Sequence, residues 1–216
     1  LNIYEKKCME KSFMEQLKHL NDSIVEMGNL CEESIVNATK RLITGDDIFE
    51  KRAIALEQEI DASERYIQML CIKLLLKTPI ESDLKMLNTA MNVIADMEKI
   101  GEQGKDIAEI CRFIQSDTEY VIILHIAKMA DAVSTMVKQA VMSFVMKDLE
   151  RANIVISQDI EVDALFLAVK TDLLELIAKD LEKEAEILES LMIAKYLERV
   201  GDCTVNIAES VIELLR

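Results

Sequence analysis

Tryptophan is absent, proline occurs once and glycine five times in 216 residues. An all-β chain needs a turn every ~8–12 residues, so this scarcity of turn formers excludes sandwiches and barrels. Aromatics reach only 4%, against twelve methionines, so the core is aliphatic and methionine-filled. Long apolar runs are missing too. The most apolar stretches, Tyr120–Ala127 and Ala164–Val169, fall far short of the ~20 residues of a spanning helix. Leu1–Lys11 is charged and lacks the apolar centre of a secretory signal. No direct membrane span is expected, and any membrane association runs through a partner.

The cysteines Cys8, Cys31, Cys71, Cys111 and Cys203 form no C-x-x-C pair and no zinc-knuckle spacing. Odd in number and set among apolar neighbours, they read as reduced, mostly buried thiols of a cytoplasmic protein. Neither G-x-x-x-x-G-K-[ST] nor G-x-G-x-x-G occurs, so no phosphate-cradling loop is present. Positive charge is also scarce. Against 40 acidic residues stand 25 Lys and Arg, a net charge of −15. Such a surface repels a phosphate backbone and an anionic leaflet, which argues against nucleic-acid binding. Its surplus carboxylates suit hard or intermediate cations, or simply keep the chain soluble.

Half of the residues are hydrophobic, enough for a sizeable core. Breaks at Gly45-Asp46, Thr78-Pro79, Ser116-Asp117-Thr118, Lys147-Asp148 and Lys179-Asp180 divide the chain into six helices, about 12–44, 47–77, 82–115, 119–146, 149–178 and 181–215. Ser82 and Asp83 offer a start for the third. In the first helix Leu17, Leu20, Ile24, Met27, Cys31, Ile35, Ala38 and Leu42 step by three or four residues. In the fourth, Ile126, Met129, Val133, Val137, Ala140 and Phe144 do the same. Long helices with short links pack antiparallel.

An internal repeat organises these helices. Glu98-Lys-Ile-Gly-Glu-Gln-Gly-Lys-Asp-Ile-Ala-Glu109 matches Glu198-Arg-Val-Gly-Asp-Cys-Thr-Val-Asn-Ile-Ala-Glu209, with five of twelve positions identical. At the same offset of one hundred residues, Leu56–Asp61 matches Ile156–Glu161. The expected fold is all-α, two tandem pseudo-symmetric three-helix bundles, about 12–115 and 119–216.

The repeated segment is acidic along one face. With Glu98 at zero, Glu102 falls at ~40°, Asp106 at ~80° and Glu109 at ~20° around the helix. Glu198, Asp202, Asn206 and Glu209 take the same places in the second unit, while Ile100, Ile107, Val200 and Ile207 point inward. Like charges at i,i+4 destabilise a helix by a few tenths of a kcal/mol per pair. Compensation comes from lysines such as Lys99 and Lys105, or from bound cations. A second acidic pair, Glu57 and Asp61, is expected to face the first ladder across a helix–helix groove. In the second unit Ser157 breaks that pair and Glu161 keeps its second member. Gly101 and Gly201 recur beside the acids. Each weakens its helix by ~1 kcal/mol, which close approach of a neighbouring helix offsets.

These paired segments, Glu-Lys-Ile-Gly-Glu…Asp-Ile-Ala-Glu and Glu-Arg-Val-Gly-Asp…Asn-Ile-Ala-Glu, resemble the signature of the phosphate-uptake regulator family PhoU, and the resemblance spans essentially the whole chain. It implies clusters of metal ions, iron, zinc or another divalent ion, bound by carboxylates on the bundle surface. Glu57, Asp61, Glu98 and Glu102 would serve the first unit. Glu161, Glu198 and Asp202 would serve the second, with Asp106 and Asn206 as neighbours. It further implies a cytoplasmic adaptor, peripheral to the inner membrane, between a phosphate ABC transporter's ATPase subunit and a sensor histidine kinase. Such an adaptor is a negative regulator of uptake and of the phosphate-starvation response. The sequence departs from the pattern at Glu102, where aspartate is usual, at Gln103 and Cys203, and at Ser157.

Two rivals come from other classes. A carboxylate-bridged di-iron protein wants two Glu-x-x-His motifs, but Gln16 and Ile122 precede His19 and His125. No nucleophile–base pairing supports a hydrolase, so no enzyme is expected. A metal-free helical scaffold, its acids serving solubility, is the other. Methionine-rich stripes leave room for a homodimer face.

Overall fold

The computed structural model describes residues 3–77, 80–114, 120–179 and 184–216. The expected breaks at Thr78-Pro79 and Ser116-Asp117-Thr118, the residues Asp180 and Leu181, and the side chain of Cys8 lie outside the described residues. Six helices follow one another: α1 (Ile3–Thr44), α2 (Asp47–Leu75), α3 (Glu81–Ile110), α4 (Tyr120–Met146), α5 (Leu149–Lys179) and α6 (Glu184–Leu215). A 3-10 turn, Cys111–Phe113, closes α3. Among the described residues there is no strand.

The links explain the topology. Gly45 takes φ +71° after α1, its N–H donating to the Arg41 carbonyl, and the Asp46 carboxylate then accepts from the Ile48 N–H to start α2. Two-residue links leave the next helix no course but back along the last. The start of α3 differs from expectation. Glu81 is its first residue, and the Asp83 carboxylate reaches back to the Ile80 N–H rather than capping the helix from in front. The first helix also begins earlier than expected, at Ile3.

Leu20, Ile24, Met27, Cys31 and Ile35 of α1 are fully buried, as are Met129, Val133, Val137 and Ala140 of α4. Each Leu, Ile, Met and Val among them contributes about 1.5–3 kcal/mol by leaving water. Within the first unit α1, α2 and α3 pack on one another, and α4, α5 and α6 do the same in the second. The units meet through α1 against α4 and α3 against α6, like against like, as an approximate twofold demands. Helices α2 and α5 therefore sit on the outer flanks, each packed chiefly against its own unit's other two helices.

Burial fixes the register between the units. Leu20, Ile24, Met27, Ile35 and Leu42 correspond to Ile122, Ile126, Met129, Val137 and Phe144. Ala53, Ile60, Ile67 and Leu74 correspond to Val155, Val162, Val169 and Leu176. These pairs are 102 residues apart. Along the third helices, Val93, Met97, Ile100, Ile107 and Ala108 correspond to Ile193, Leu197, Val200, Ile207 and Ala208, which are 100 apart. The segment joining second to third helix is thus two residues shorter in the second unit. The expected correspondence of Leu56–Asp61 with Ile156–Glu161 is out of step by those two residues.

Candidate metal-binding faces

In the first unit α3 presents Glu98 and Glu102 toward α2. Partial burial, then the charges of Glu102, Asp61, Glu64 and Glu57, hold the Glu98 carboxyl above its usual range. These five acids form one electrostatic neighbourhood, bringing together the four expected first-unit residues and adding Glu64. Asp106, half-buried one turn on, is also raised, chiefly by burial, with Lys105 opposing and Glu109 and Glu57 adding to the shift. Of the two expected lysines only Lys105 serves the face: its Nζ lies 2.8 Å from Glu57 Oε1, while Lys99 pairs with Asp96 at 2.8 Å. Gly101 permits the groove, since a Cβ there would sit 2.8 Å from Ile60 Cδ1.

The second unit repeats the arrangement with different residues from those expected. Asp202 is raised above its usual range by burial and by Glu198, with Asp163 contributing. Asp159 is raised by burial, Asp163, Asp202 and Glu198. The acids facing Glu198 and Asp202 are therefore Asp159 and Asp163, the equivalents of Glu57 and Asp61 at an offset of 102. Glu161 is exposed and lines a groove between α4 and α5 with Lys128, Asp131 and Gln158, and the Ser157 hydroxyl donates to the Ile154 carbonyl. The signal was in the sequence: Glu57-x-Glu59-x-Asp61 recurs as Asp159-x-Glu161-x-Asp163, which makes Glu161 the counterpart of Glu59, an outward residue bonded to Arg52. Asn206, exposed, continues the α6 side of this face. Here the cation is Lys195, bonded to Glu198. A Cβ at Gly201 would lie 3.1 Å from Asp159 Oδ1.

All of these donors are carboxylate oxygens, which suit hard divalent cations. Their mutual repulsion is a standing reason to take one up. Among the described residues, no three of them stand ready as a coordination shell. Uptake of a cation would require the carboxylates to swing together and Lys105 and Lys195 to release Glu57 and Glu198. The histidines lie elsewhere, His19 Nε2 2.7 Å from the Tyr66 hydroxyl and His125 Nδ1 2.6 Å from Asp172 Oδ2. A 430 Å³ cavity lined by Glu81, Lys85, Lys147 and Arg216 includes none of the facing acids. Cys31, Cys71, Cys111 and Cys203 are buried free thiols. Burial pushes Cys203 up to about 11, which leaves it protonated near neutrality.

The PhoU domain profile matches residues 24–111 and 126–211, one copy in each three-helix unit. The chain belongs to the PhoU family. A relative from Clostridium acetobutylicum, named phosphate-specific transport system accessory protein PhoU homolog, is 28% identical over 207 residues, covering 95% of this chain and 94% of its own length. The protein of that name from Pseudomonas aeruginosa is 27% identical over 213 residues, covering 96% and 87%. The crystal structure of PhoU from Pseudomonas aeruginosa superposes with a TM-score of 0.86 at 27% identity, over 94% of this chain and 99% of that one. PhoU from Streptococcus pneumoniae, a phosphate transport system regulatory protein, gives 0.85 at 23% identity over 94% and 96%, which speaks to the fold alone. Each PhoU repeat thus carries its own acidic face, Glu57, Asp61, Glu98 and Glu102 in the first and Asp159, Asp163, Glu198 and Asp202 in the second.

Proposed function

We propose that this chain is an accessory regulator of phosphate transport that binds divalent cations on its two acidic faces and acts as an adaptor, not a catalyst. Its partners in this reading are the ATPase subunit of a phosphate ABC transporter and a sensor histidine kinase. Its effect is to dampen uptake and starvation signalling when phosphate is plentiful. The observation that carries the reading is the recurrence of one acidic constellation, in one structural register, on both matched PhoU repeats. Duplication of a fold preserves buried residues because they pack. Four partly exposed carboxylates crowded on one face bring no packing gain, so a shared ligand is what they serve. A bound cation would offset the repulsion and fix the outer helix of each unit to the third. No helix among the described residues is long and apolar enough to cross a membrane, so contact with a transporter is made through its soluble parts.

The metal-free scaffold has two observations in its favour, the partial neutralisation of both faces by Lys105 and Lys195 and the lack, among the described residues, of three acids placed as a coordination shell. Metal analysis of the purified protein separates the two. Stoichiometric divalent metal that falls by about half in Glu98→Gln/Glu102→Gln supports the regulator with cation sites. No metal in either protein leaves only the scaffold. The adaptor role is read separately, by pull-down of the transporter ATPase and the kinase at low and high phosphate. Enrichment of neither at both levels rejects it.

A further inference from the structure

The outer face of α5 is apolar and uncovered. Ile160, Leu167 and Leu174 are 72%, 62% and 65% exposed, and Leu149 is 46% exposed on the same side. They point away from Val155, Val162 and Val169, which are fully buried. Ile160, Leu167 and Leu174 step by seven residues, the spacing at which two long helices stay in register along a shallow crossing. Ala164, Thr171 and Ala178, also exposed, supply small side chains beside them. Exposed apolar surface of this extent marks a contact site. Nothing in the duplicated fold demands it, because the equivalent positions on α2 are Asp47, Gln58, Arg65 and Ile72, polar at three of the four.

Charge selects the occupant. Glu150, Glu161 and Glu175 run along one edge of this seam, and along the other runs the exposed Asp163, beside the half-buried Asp159 that faces α6. Among the described side chains of these edges the cation is Lys170, whose ammonium lies over the Phe166 ring. A second copy of this chain would bring the same acids against these on a molecule of net charge −15. We propose that the α5 face docks a long amphipathic helix of another protein, one that carries large apolar side chains every seven residues with Lys or Arg on both flanks. The apolar stripe supplies contact and the acidic edges select orientation and partner. This inference does not depend on cation binding, and its test is run in chelator-treated buffer.

The probe is a labelled 28-residue synthetic peptide with leucine and alanine at the two core heptad positions and lysine on the flanks, titrated against the full chain by fluorescence anisotropy. Its twin carries glutamate on the flanks. The lysine peptide is expected to bind, and the twin at least tenfold more weakly. Leu167→Ser/Leu174→Ser is expected to weaken the lysine peptide at least tenfold, while Gln58→Ser/Ile72→Ser on α2 changes it less than twofold. Both substituted pairs lie at exposed positions, and circular dichroism confirms that they fold. Equal binding by the Leu167→Ser/Leu174→Ser variant, or by the glutamate twin, overturns the proposal. So does sedimentation showing a wild-type dimer that this variant dissociates, which would make a second copy the occupant.

Discussion

Lys147 and Gly45 occupy equivalent places at the ends of α4 and α1, and both adopt left-handed backbone, φ +54° and +71°. Only one of them is suited to it. A side chain in that conformation costs roughly 1–2 kcal/mol, because Cβ crowds the carbonyl that follows. Lys147→Gly is therefore expected to stabilise the protein by about 1 kcal/mol, after the added chain entropy of glycine is subtracted. Thermal unfolding should register a rise of about 2–4 °C. A second asymmetry is ionic. Glu50 is buried between Arg112 and Arg41, and its hydrogen bond from Arg112 is the main reason its carboxyl sits below the usual range. The second unit has Ala152 and Ser143 in place of Glu50 and Arg41. Replacing Glu50 by Gln takes the carboxylate from Arg112 and leaves the buried Arg41 guanidinium with the exposed Asp47, 3.1 Å away, as its remaining counter-charge, which is expected to cost on the order of 2 kcal/mol in urea unfolding. Ala152→Gly, where no ion pair exists, should cost only about 1 kcal/mol by helix propensity.

Among the elements, α1 and α4 are legible in the sequence because each has a single apolar stripe with polar residues opposite. The third helices are legible because their repeat is dense in identities. Helix α5 is legible as an element, at about 149–178, but its inward face and register are not, and the reason is physical. It carries two apolar stripes, Val155, Val162 and Val169 toward the core and Ile160, Leu167 and Leu174 toward solvent. Periodicity alone does not say which faces inward. The shared Gln and Ile of Gln58/Ile60 and Gln158/Ile160 then pull the alignment two residues out of register, which puts Glu161 where Asp163 belongs. The α3 glycines show the opposite case, a local penalty with a tertiary reason. A Cβ on Gly104 would fall 2.2 Å from Ser34 Oγ and 3.0 Å from Ser34 Cβ, with Ser34 fully buried on α1. Gly104→Val is expected to lose about 1–3 kcal/mol through overpacking, although valine is the better helix former. A variant as stable as wild type would show that α1 and α3 separate more easily than this contact implies.

At the scale of the molecule, the two acidic faces make stability depend on pH, and the proposed cation binding would act on the same carboxylates. Glu98, Asp106, Asp159 and Asp202 all have folded-state pKa values raised above the unfolded ones. A carboxyl raised in this way favours the folded state fully while protonated, and that advantage fades as pH rises through its folded pKa. At neutral pH each face therefore weighs against folding. As pH falls from 7 into the raised carboxylate range the penalty is relieved, until Glu50 and Asp148, whose pKa values are lowered, begin to protonate and stability drops again. The thermal midpoint is expected to peak in mildly acidic buffer. A divalent cation that binds only the folded faces acts in the opposite pH direction, since it competes with protons for the same oxygens. At a concentration one hundred times its Kd it adds about 2.7 kcal/mol per site at neutral pH, and this gain shrinks as the faces protonate. Differential scanning calorimetry across pH, with and without manganese or magnesium, measures both effects in one series. The combined Glu98→Gln, Glu102→Gln, Glu198→Gln and Asp202→Asn variant should lose the cation response and flatten the acidic peak. If the variant kept the full cation-induced shift, the stabilising ions would be bound somewhere other than these two faces.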